Sequence, residues 1–373
     1  MPNFSGQLNK NEIFSSEIMG AIYNMIISQQ VFSDNIKGTA SSLVDRARVD
    51  GTLYGDTKLY YATDVLKSAP WGADLEAANL LNLYRPDVPE CQAIELNVFR
   101  QICLTVDNYL SKRAWSTEGA FGQFNSVMKG WITDTKRVYD STIYNSFIGT
   151  TETAIGKQTM EVDVTSAVAG LNGEEKARVR AGVLGESMAK LISRLKDISR
   201  DYNDYGNLRS YDMDDLLFIW NEDKLAEIEK RDLPTIFHKD FIENLGKDSL
   251  PARYFGKVNG VDVTKSNGTT IRSLIEQDVK DSSEKVFHLF AGDIIPANVT
   301  LVTGGSITYP SYTEDSTILY KVIDKRSVPY MSAFQVATDF FNPKSLTETH
   351  YLTFGHNTLE YLKALPFITV REK

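Results

Sequence analysis

The sequence predicts an α+β protein in which the strands are grouped by hairpins and do not alternate regularly with helices. Three observations support this fold class. Residues 117–148 carry apolar side chains at helical spacing, residues 49–65 and 94–106 alternate apolar and polar side chains, and short β-rich segments are frequent after residue 216. A regular succession of strands and helices would instead have indicated a parallel sheet.

The length and composition are those of a globular protein. With 373 residues the chain is long enough for two or three compact domains, and 42% hydrophobic with 24% charged residues is ordinary globular usage. The formal net charge is −9, and no basic run is present. A general binder of nucleic acid or of acidic membranes is therefore excluded, because such binding depends on clustered positive charge.

Cysteine content and hydropathy bear on location. Only Cys91 and Cys103 are present, so we expect free thiols and synthesis in a reducing cytoplasm. No apolar run approaches the roughly 18 residues of a transmembrane helix, and the N-terminus lacks the basic-then-apolar pattern of a signal peptide. The sequence therefore predicts a protein that is neither exported nor membrane-spanning.

The N-terminal region, residues 1–47, is predicted to be an arm. Apolar residues recur at roughly helical spacing between residues 11 and 32, and a polar stretch follows. The segment is too short to form its own core. We therefore expect it to pack on the rest of the chain or on a neighbouring copy.

The two alternating segments, 49–65 and 94–106, predict a long two-stranded ribbon. Strands of this length would reach roughly 45 Å, which exceeds what a compact domain usually holds. Because an isolated ribbon is marginally stable, we expect it to protrude and to lie along another subunit. The residues predicted to contact that subunit are Leu53, Leu59, Tyr61, Ile94, Leu96 and Val98.

Residues 117–148 predict one helix of roughly 45 Å, since no proline interrupts them. One broad stripe is apolar, and the opposite face is polar, with Lys136, Asp140 and Ser141 among the residues expected to face water. Trp131 lies in the middle of the stripe and is expected to be largely buried. The predicted core residues of this helix are Phe121, Phe124, Met128, Trp131 and Val138.

The rest of the chain predicts one more long helix and several short strands. Residues 173–200 have helical periodicity, and Asn172 with Glu175 resembles a capping box at the start. Asn259-Gly260 is typical of a hairpin turn. A buried strand is expected at LLFIW (216–220), a short helix at Asp223–Arg231, and further strands at VFHLF, NVTLV, STILYKVI, THYLTF and LPFITV.

The sequence contains no motif for catalysis, cofactor binding or metal binding. The four histidines lack the spacing of a zinc motif and are expected to be structural; they are His238, His288, His350 and His356. The acidic cluster before the strand at 216–220 is expected to be a solvated turn; it comprises Asp212, Asp214 and Asp215. Gly156-Lys157 and Gly304-Gly305 each lack the rest of a phosphate loop, so their glycines are expected to be turn residues. Because carboxylate pairing is invisible in a sequence, a soluble carboxylate-dependent hydrolase stays open as an alternative.

The order of the predicted parts is arm, ribbon, long helix, mixed domain and returning strands. This order resembles that of the major capsid proteins of tailed bacteriophages, which have the Hong Kong 97-type fold. The most specific segments are GAFGQFNSVMKGWITDTKRVYDSTIYNSFIGT and VIDKRSVPYMSAFQVATDFFNPKSLTETHYLTFGHNTLEYLKALPFITV. The domains implied are an N-terminal arm (1–47), an extended loop (48–110), a peripheral domain with the spine helix (111–169 and 319–354) and an axial domain (170–318 and 355–373).

The resemblance implies a structural function. The chain would assemble, through hexamers and pentamers, into the icosahedral head shell of a virion that encloses the phage genome, after synthesis in the bacterial host cytoplasm. It implies no catalytic residue, cofactor, metal or membrane contact. Expected partners are a portal protein, double-stranded DNA held without sequence-specific contacts, and a separate scaffolding protein, because only about 45 residues precede the ribbon. One family member crosslinks loop lysines, but we expect Lys58 and Lys67 to be solvated. An encapsulin-like compartment shares the fold and stays an alternative.

Overall fold

A computed structural model describes residues 42–51, 57–68, 85–107, 118–153, 158–229, 247–258, 271–302 and 310–373. Most of the predicted arm, Leu53 and the predicted turn at Asn259-Gly260 lie outside these residues. The side chains of Phe121 and Phe124 also lie outside the description, although their backbone belongs to a described helix.

The described helices include both long helices that the sequence predicts. The helices are α1 (Ser42–Arg46), α2 (Glu118–Thr150), α3 (Val164–Ala167), α4 (Gly173–Lys196) and α5 (Glu222–Glu229). The expected capping box at the start of α4 does not form, because the side chain of Asn172 makes no capping hydrogen bond. Gly173 has a positive φ of 61°, a conformation that departs from a regular first helical turn.

The described strands form two five-stranded and two three-stranded sheets. In the first large sheet the order is β1 (Arg48–Asp50), β14 (Tyr330–Asn342), β15 (Thr347–Asn357), β3 (Glu90–Asp107) and β2 (Thr57–Ala62). In the second the order is β4 (Thr159–Val162), β16 (Phe367–Glu372), β13 (Ile318–Asp324), β5 (Leu216–Asn221) and β6 (Lys247–Leu250).

The two small sheets lie between β6 and β13 in the chain. One is ordered β7 (Gly256–Val258), β12 (Ser311–Glu314) and β8 (Ile271–Ser273), and the other β10 (Val286–Leu289), β9 (Gln277–Lys280) and β11 (Thr300–Leu301). The strands expected at LLFIW, VFHLF, NVTLV, STILYKVI, THYLTF and LPFITV are all confirmed.

The core is built on both faces of the second large sheet. Every residue of β5 and of β13 is buried, as expected for strands covered on both sides. Alternate residues point to opposite faces, so Phe218 and Trp220 join α4 in one apolar cluster. Leu217 and Ile219 join the C-terminal turns of α2 in the other.

The described residues fall into two compact units. One contains Gln101–Arg137 and Ala337–Leu352, and the other contains Val138–Val336, Thr353–Lys373 and the described residues up to Arg100. This partition by compactness differs from the four domains implied by the resemblance, which stay a prediction.

Helix α2 buries a face that is rotated from the predicted one. Met128 is buried as expected, but Trp131 and Val138 are only half-buried. Lys136, Asp140 and Ser141, which were expected to face water, are buried instead. The prediction for these positions is wrong because polarity alone does not show that a carboxylate such as Asp140 has partners inside the chain.

Strand β3 is not half of an isolated ribbon. Among the described residues, its pairing with β2 runs from Glu90 with Ala62 to Glu95 with Thr57. On its other side β3 is the neighbour of β15. The alternating pattern is the same whether the strand is covered by its own chain or by another copy, so the sequence could not distinguish the two cases.

Candidate subunit interface

Strand β2 presents an apolar outer face at the edge of the first large sheet. It has β3 on one side and no described strand on the other. The side chains of Leu59 and Tyr61 are 52% and 66% exposed, and they alternate with the half-buried Lys58 and Tyr60. An open edge with exposed apolar side chains favours association with another chain.

Further exposed apolar residues lie just after β2 and just before β3. Val65 and Leu66 follow β2 and are exposed, and Val88 lies just before β3 and is also exposed. Single exposed apolar residues are normal on a protein surface, whereas a group of this kind marks a contact site.

Two of the residues predicted to contact a neighbour are instead buried within the chain itself. Ile94 and Leu96 are 2% and 1% exposed. Leu96 packs against Met331 and Phe99. Val98 is half-buried. Ile94 and Leu96 therefore have almost no surface left to offer, which restricts the candidate interface to the β2 side of the ribbon.

The segment that follows β2 is fixed to the loop at residues 200–209. The Asp64 carboxylate accepts hydrogen bonds from the Leu208 N–H at 2.9 Å and from the Arg200 guanidinium at 2.6 Å. The guanidinium of Arg209 donates to the carbonyl of Thr63 at 2.8 Å. The Leu208 N–H, followed by Arg200, lowers the pKa of Asp64 to about 2, so this attachment keeps its charge except in strong acid.

The start of β3 is fixed in a similar way. The side-chain amide of Gln92 donates to the carbonyl of Tyr361 at 3.0 Å and accepts from the N–H of Lys363 at 3.0 Å. The segment after β2 and the start of β3 are thus both hydrogen-bonded to other segments of the chain. The exposed side chains of β2 consequently stand on a pre-ordered surface, which reduces the entropy lost when they bind.

A buried polar network joins the beginning of the described chain to helix α2. The Asp140 carboxylate accepts a hydrogen bond from the Tyr330 hydroxyl at 2.7 Å and another from the Arg48 guanidinium at 3.1 Å. Burial, followed by the charge of Asp140, raises the pKa of Tyr330. Arg48 also bonds the exposed Asp45 at 2.9 Å. This network orients β1 against β14, with which it pairs in parallel.

His356 is a structural histidine, as the sequence predicts. Its Nδ1 lies 2.8 Å from the carbonyl oxygen of Asn357, and its Nε2 lies 2.8 Å from the hydroxyl of Tyr139. A proton on Nδ1 satisfies both contacts, because the carbonyl can only accept. The ring also stacks on Tyr330 at 5.4 Å between centroids.

The remaining candidate residues are an acidic turn, two lysines, two cysteines and residues outside the described chain. Asp212 caps a 3-10 turn at Met213–Asp215 directly before β5, so the predicted turn is confirmed. Lys58 is half-buried and donates to the carbonyl of Asp50, so it is not solvated as expected, whereas Lys67 is exposed as expected. Cys91 and Cys103 are free and exposed. The residues outside the description are His238 and the pairs at 156–157 and 304–305.

Among the described residues, none of the helices combines the length and the apolar character that a membrane span requires.

Solved structures with a similar fold come from phage particles. A chain in the capsid structure of Staphylococcus phage Andhra matches with a TM-score of 0.59 and 11% identity, covering 88% of this chain and 83% of that one. A chain in the structure of the head fibre and inner core protein gp22 of native bacteriophage P68 matches with a TM-score of 0.54 and 11% identity, covering 88% and 84%. At such low identity these matches show a shared fold.

The family assignment comes from the sequence itself. Residues 1–369 match the family model of the Phi29-like phage major capsid protein. No curated protein matches the sequence. The family match spans nearly the whole chain and decides against the hydrolase alternative, because the family consists of structural capsid proteins and not of enzymes. The chain belongs to the Phi29-like family of phage major capsid proteins, which form the shell of the virion.

Proposed function

We propose that this chain forms the icosahedral head of a phage through contacts in which the outer face of β2 packs against a neighbouring copy. The observation that supports this proposal is the combination of a sheet edge that has no described strand beside it with the exposed residues Leu59 and Tyr61. The hydrogen bonds of Asp64 and Gln92 pre-order that edge.

The expected strength of this contact is modest. Complete burial of a large apolar side chain contributes about 1.5–3 kcal/mol, and Leu59 and Tyr61 are already partly covered by their own chain. Weak individual contacts suit the assembly of a closed shell, since a misplaced subunit dissociates before the shell closes. Many such contacts together then stabilise the complete particle.

The finer assignments belong to the same proposal. We propose hexamers and pentamers as the units of the shell, a separate scaffolding protein and a portal protein as partners, and synthesis in the bacterial host cytoplasm. Double-stranded DNA is proposed as the contents, without sequence-specific contacts. The net charge of −9 supports the last point, because a surface without clustered positive charge gains little from releasing counterions of DNA.

The test compares three variants of the full chain expressed under identical conditions. Leu59→Asp and Tyr61→Asp place a charge on the outer face of β2, where burial against another copy would leave it desolvated and unpaired. Ile198→Asp is the matched control, because Ile198 is 64% exposed on a different part of the chain. We expect the two β2 variants to lose shells in electron micrographs while their subunits unfold at the wild-type temperature.

Two outcomes would overturn the proposal. Normal shells from both Leu59→Asp and Tyr61→Asp would show that the face is not a contact surface. Equal loss of shells in Ile198→Asp would show that any added surface charge disrupts assembly.

A further inference from the structure

Three potential metal ligands converge on the hairpin formed by β14 and β15. Asp339 lies on β14, and Glu348 and His350 lie on β15. One donor atom from each residue lies within 4.8 Å of the other two. The Nδ1 of His350 is 2.5 Å from a carboxylate oxygen of Asp339. All three residues belong to the same compact unit.

Strand geometry explains the convergence. Residues two positions apart on a strand point to the same face, which places Glu348 beside His350. Strands β14 and β15 are neighbours in the sheet and are joined through residues 343–346. The side chain of Asp339 on the adjacent strand therefore reaches the same point from the other side.

The donor set indicates the class of ion. One imidazole nitrogen with two carboxylate oxygens is a combination that binds Zn²⁺ and related divalent transition metals, whereas Mg²⁺ and Ca²⁺ prefer oxygen donors alone. In a tetrahedral zinc site with bonds of about 2.0–2.1 Å, the ligand atoms are roughly 3.3 Å apart. To bind the ion, the Nδ1 of His350 and the carboxylate oxygen of Asp339 would have to move apart by about 1 Å. Rotation of the side chains allows a shift of this size.

The burial of the three residues is graded. The His350 side chain is only 9% exposed, whereas the Asp339 side chain is 56% exposed. His350 is thus enclosed by the surrounding chain, and Asp339 faces solvent. An ion can enter from the solvent side and bind the buried His350, and water can complete its coordination.

We propose that Asp339, Glu348 and His350 bind one divalent transition-metal ion, with Zn²⁺ as the best fit. The ion links two adjacent strands near the end of the hairpin, beside the exposed side chains of Phe340 and Phe341. Binding stabilises the paired arrangement of β14 and β15, because the ligands come together only when the hairpin is formed. The site shares no residue with the β2 contact surface.

The chain offers a matched control in His288. This histidine also lies between two carboxylates, with Nδ1 at 2.6 Å from Asp278 and Nε2 at 3.0 Å from Glu276. The two carboxylates meet opposite nitrogens of the ring, so they cannot bind the same ion together with one of those nitrogens. His288 therefore has similar neighbours without the convergent geometry.

The experiment is a titration of the full-length protein with Zn²⁺ by calorimetry, after removal of bound metal by a chelator. The wild-type chain and His288→Gln are expected to bind one ion per chain with equal affinity. His350→Gln and Glu348→Gln are expected to bind at least about tenfold more weakly. Co²⁺ as a spectroscopic probe should give d–d absorption bands in the wild-type chain that are absent from His350→Gln.

The result that would overturn the proposal is equal Zn²⁺ affinity in the wild-type chain, His350→Gln and Glu348→Gln, or no saturable binding by the wild-type chain. Glu348→Gln keeps the test valid if the more buried His350 does not tolerate substitution, because Glu348 is partly exposed. Circular dichroism of each variant verifies that the fold is retained.

Discussion

The ammonium group of Lys321 donates a 2.6 Å hydrogen bond to the backbone carbonyl of Thr151, the residue that follows helix α2. Lys321 lies in the middle of β13 and is completely buried. The last carbonyls of a helix lack partners within it and carry its partial negative charge. The contact therefore joins the central sheet of the core to the end of the long helix.

The burial of Lys321 predicts how the stability of the subunit depends on pH. Burial lowers its pKa from 10.5 to about 7 in the folded chain. Between these two values the unfolded chain binds more protons than the folded chain, so the stability contributed by this group rises with pH across that window and is constant below it. We expect a slope of up to about 1.4 kcal/mol per pH unit above neutrality.

The measurement is urea unfolding of unassembled subunits between pH 6 and 9, for the wild-type chain and for Lys321→Met. The variant has no titrating group at this position and should lose the rise with pH. An identical rise in both proteins would show that another group is responsible.

The network around Asp140 predicts unequal effects for the two carboxylates that bind Arg48. Asp140 is 1% exposed and holds both Arg48 and the Tyr330 hydroxyl. Asp140→Ala leaves these groups without their buried acceptor and should destabilise the subunit by roughly 3 kcal/mol. Asp45 is exposed, so Asp45→Ala should change stability by less than about 0.5 kcal/mol. Chemical denaturation of both variants measures the difference, and equal effects would contradict the network.

Replacing two glycines of α2 by alanine should change the stability of the subunit in opposite directions. A Cβ atom at Gly149 would collide with the backbone carbonyl of Tyr254, whereas a Cβ atom at Gly130 would meet nothing within 4 Å. Gly130→Ala should stabilise the subunit by about 0.5–1 kcal/mol, because alanine has the higher helix propensity. Gly149→Ala should destabilise it by about 1–3 kcal/mol through overpacking. Thermal unfolding measures both, and a stabilising Gly149→Ala would refute the close approach of the two segments.

The sequence predicts the α+β class, both long helices and the strands of the central sheet, since those elements depend on local periodicity and apolar runs. It does not predict which face of α2 is buried. The burial of Asp140 depends on Arg48 and Tyr330, which are distant in sequence. A half-exposed Trp131 is the consequence of that rotation.

The candidate sites show the same limit. Leu59 and Tyr61 are exposed, as a contact with a neighbouring subunit requires, whereas Ile94 and Leu96 are covered by the chain itself. Alternation shows that one face of a strand is covered and does not show by what. The cluster of Asp339, Glu348 and His350 cannot be recognised from the spacing of residues in the sequence, because the pairing of two strands brings its members together.

The most direct test of the central claim is sedimentation velocity of the purified full chain over a range of protein and salt concentrations, with electron microscopy of the same samples. A shell-forming subunit with an exposed apolar edge should sediment as rings, sheets or shells far heavier than its 41.9 kDa. Without a scaffolding protein we expect several radii, and co-expression with one should narrow the distribution. A homogeneous particle near 41.9 kDa under all conditions would contradict the account.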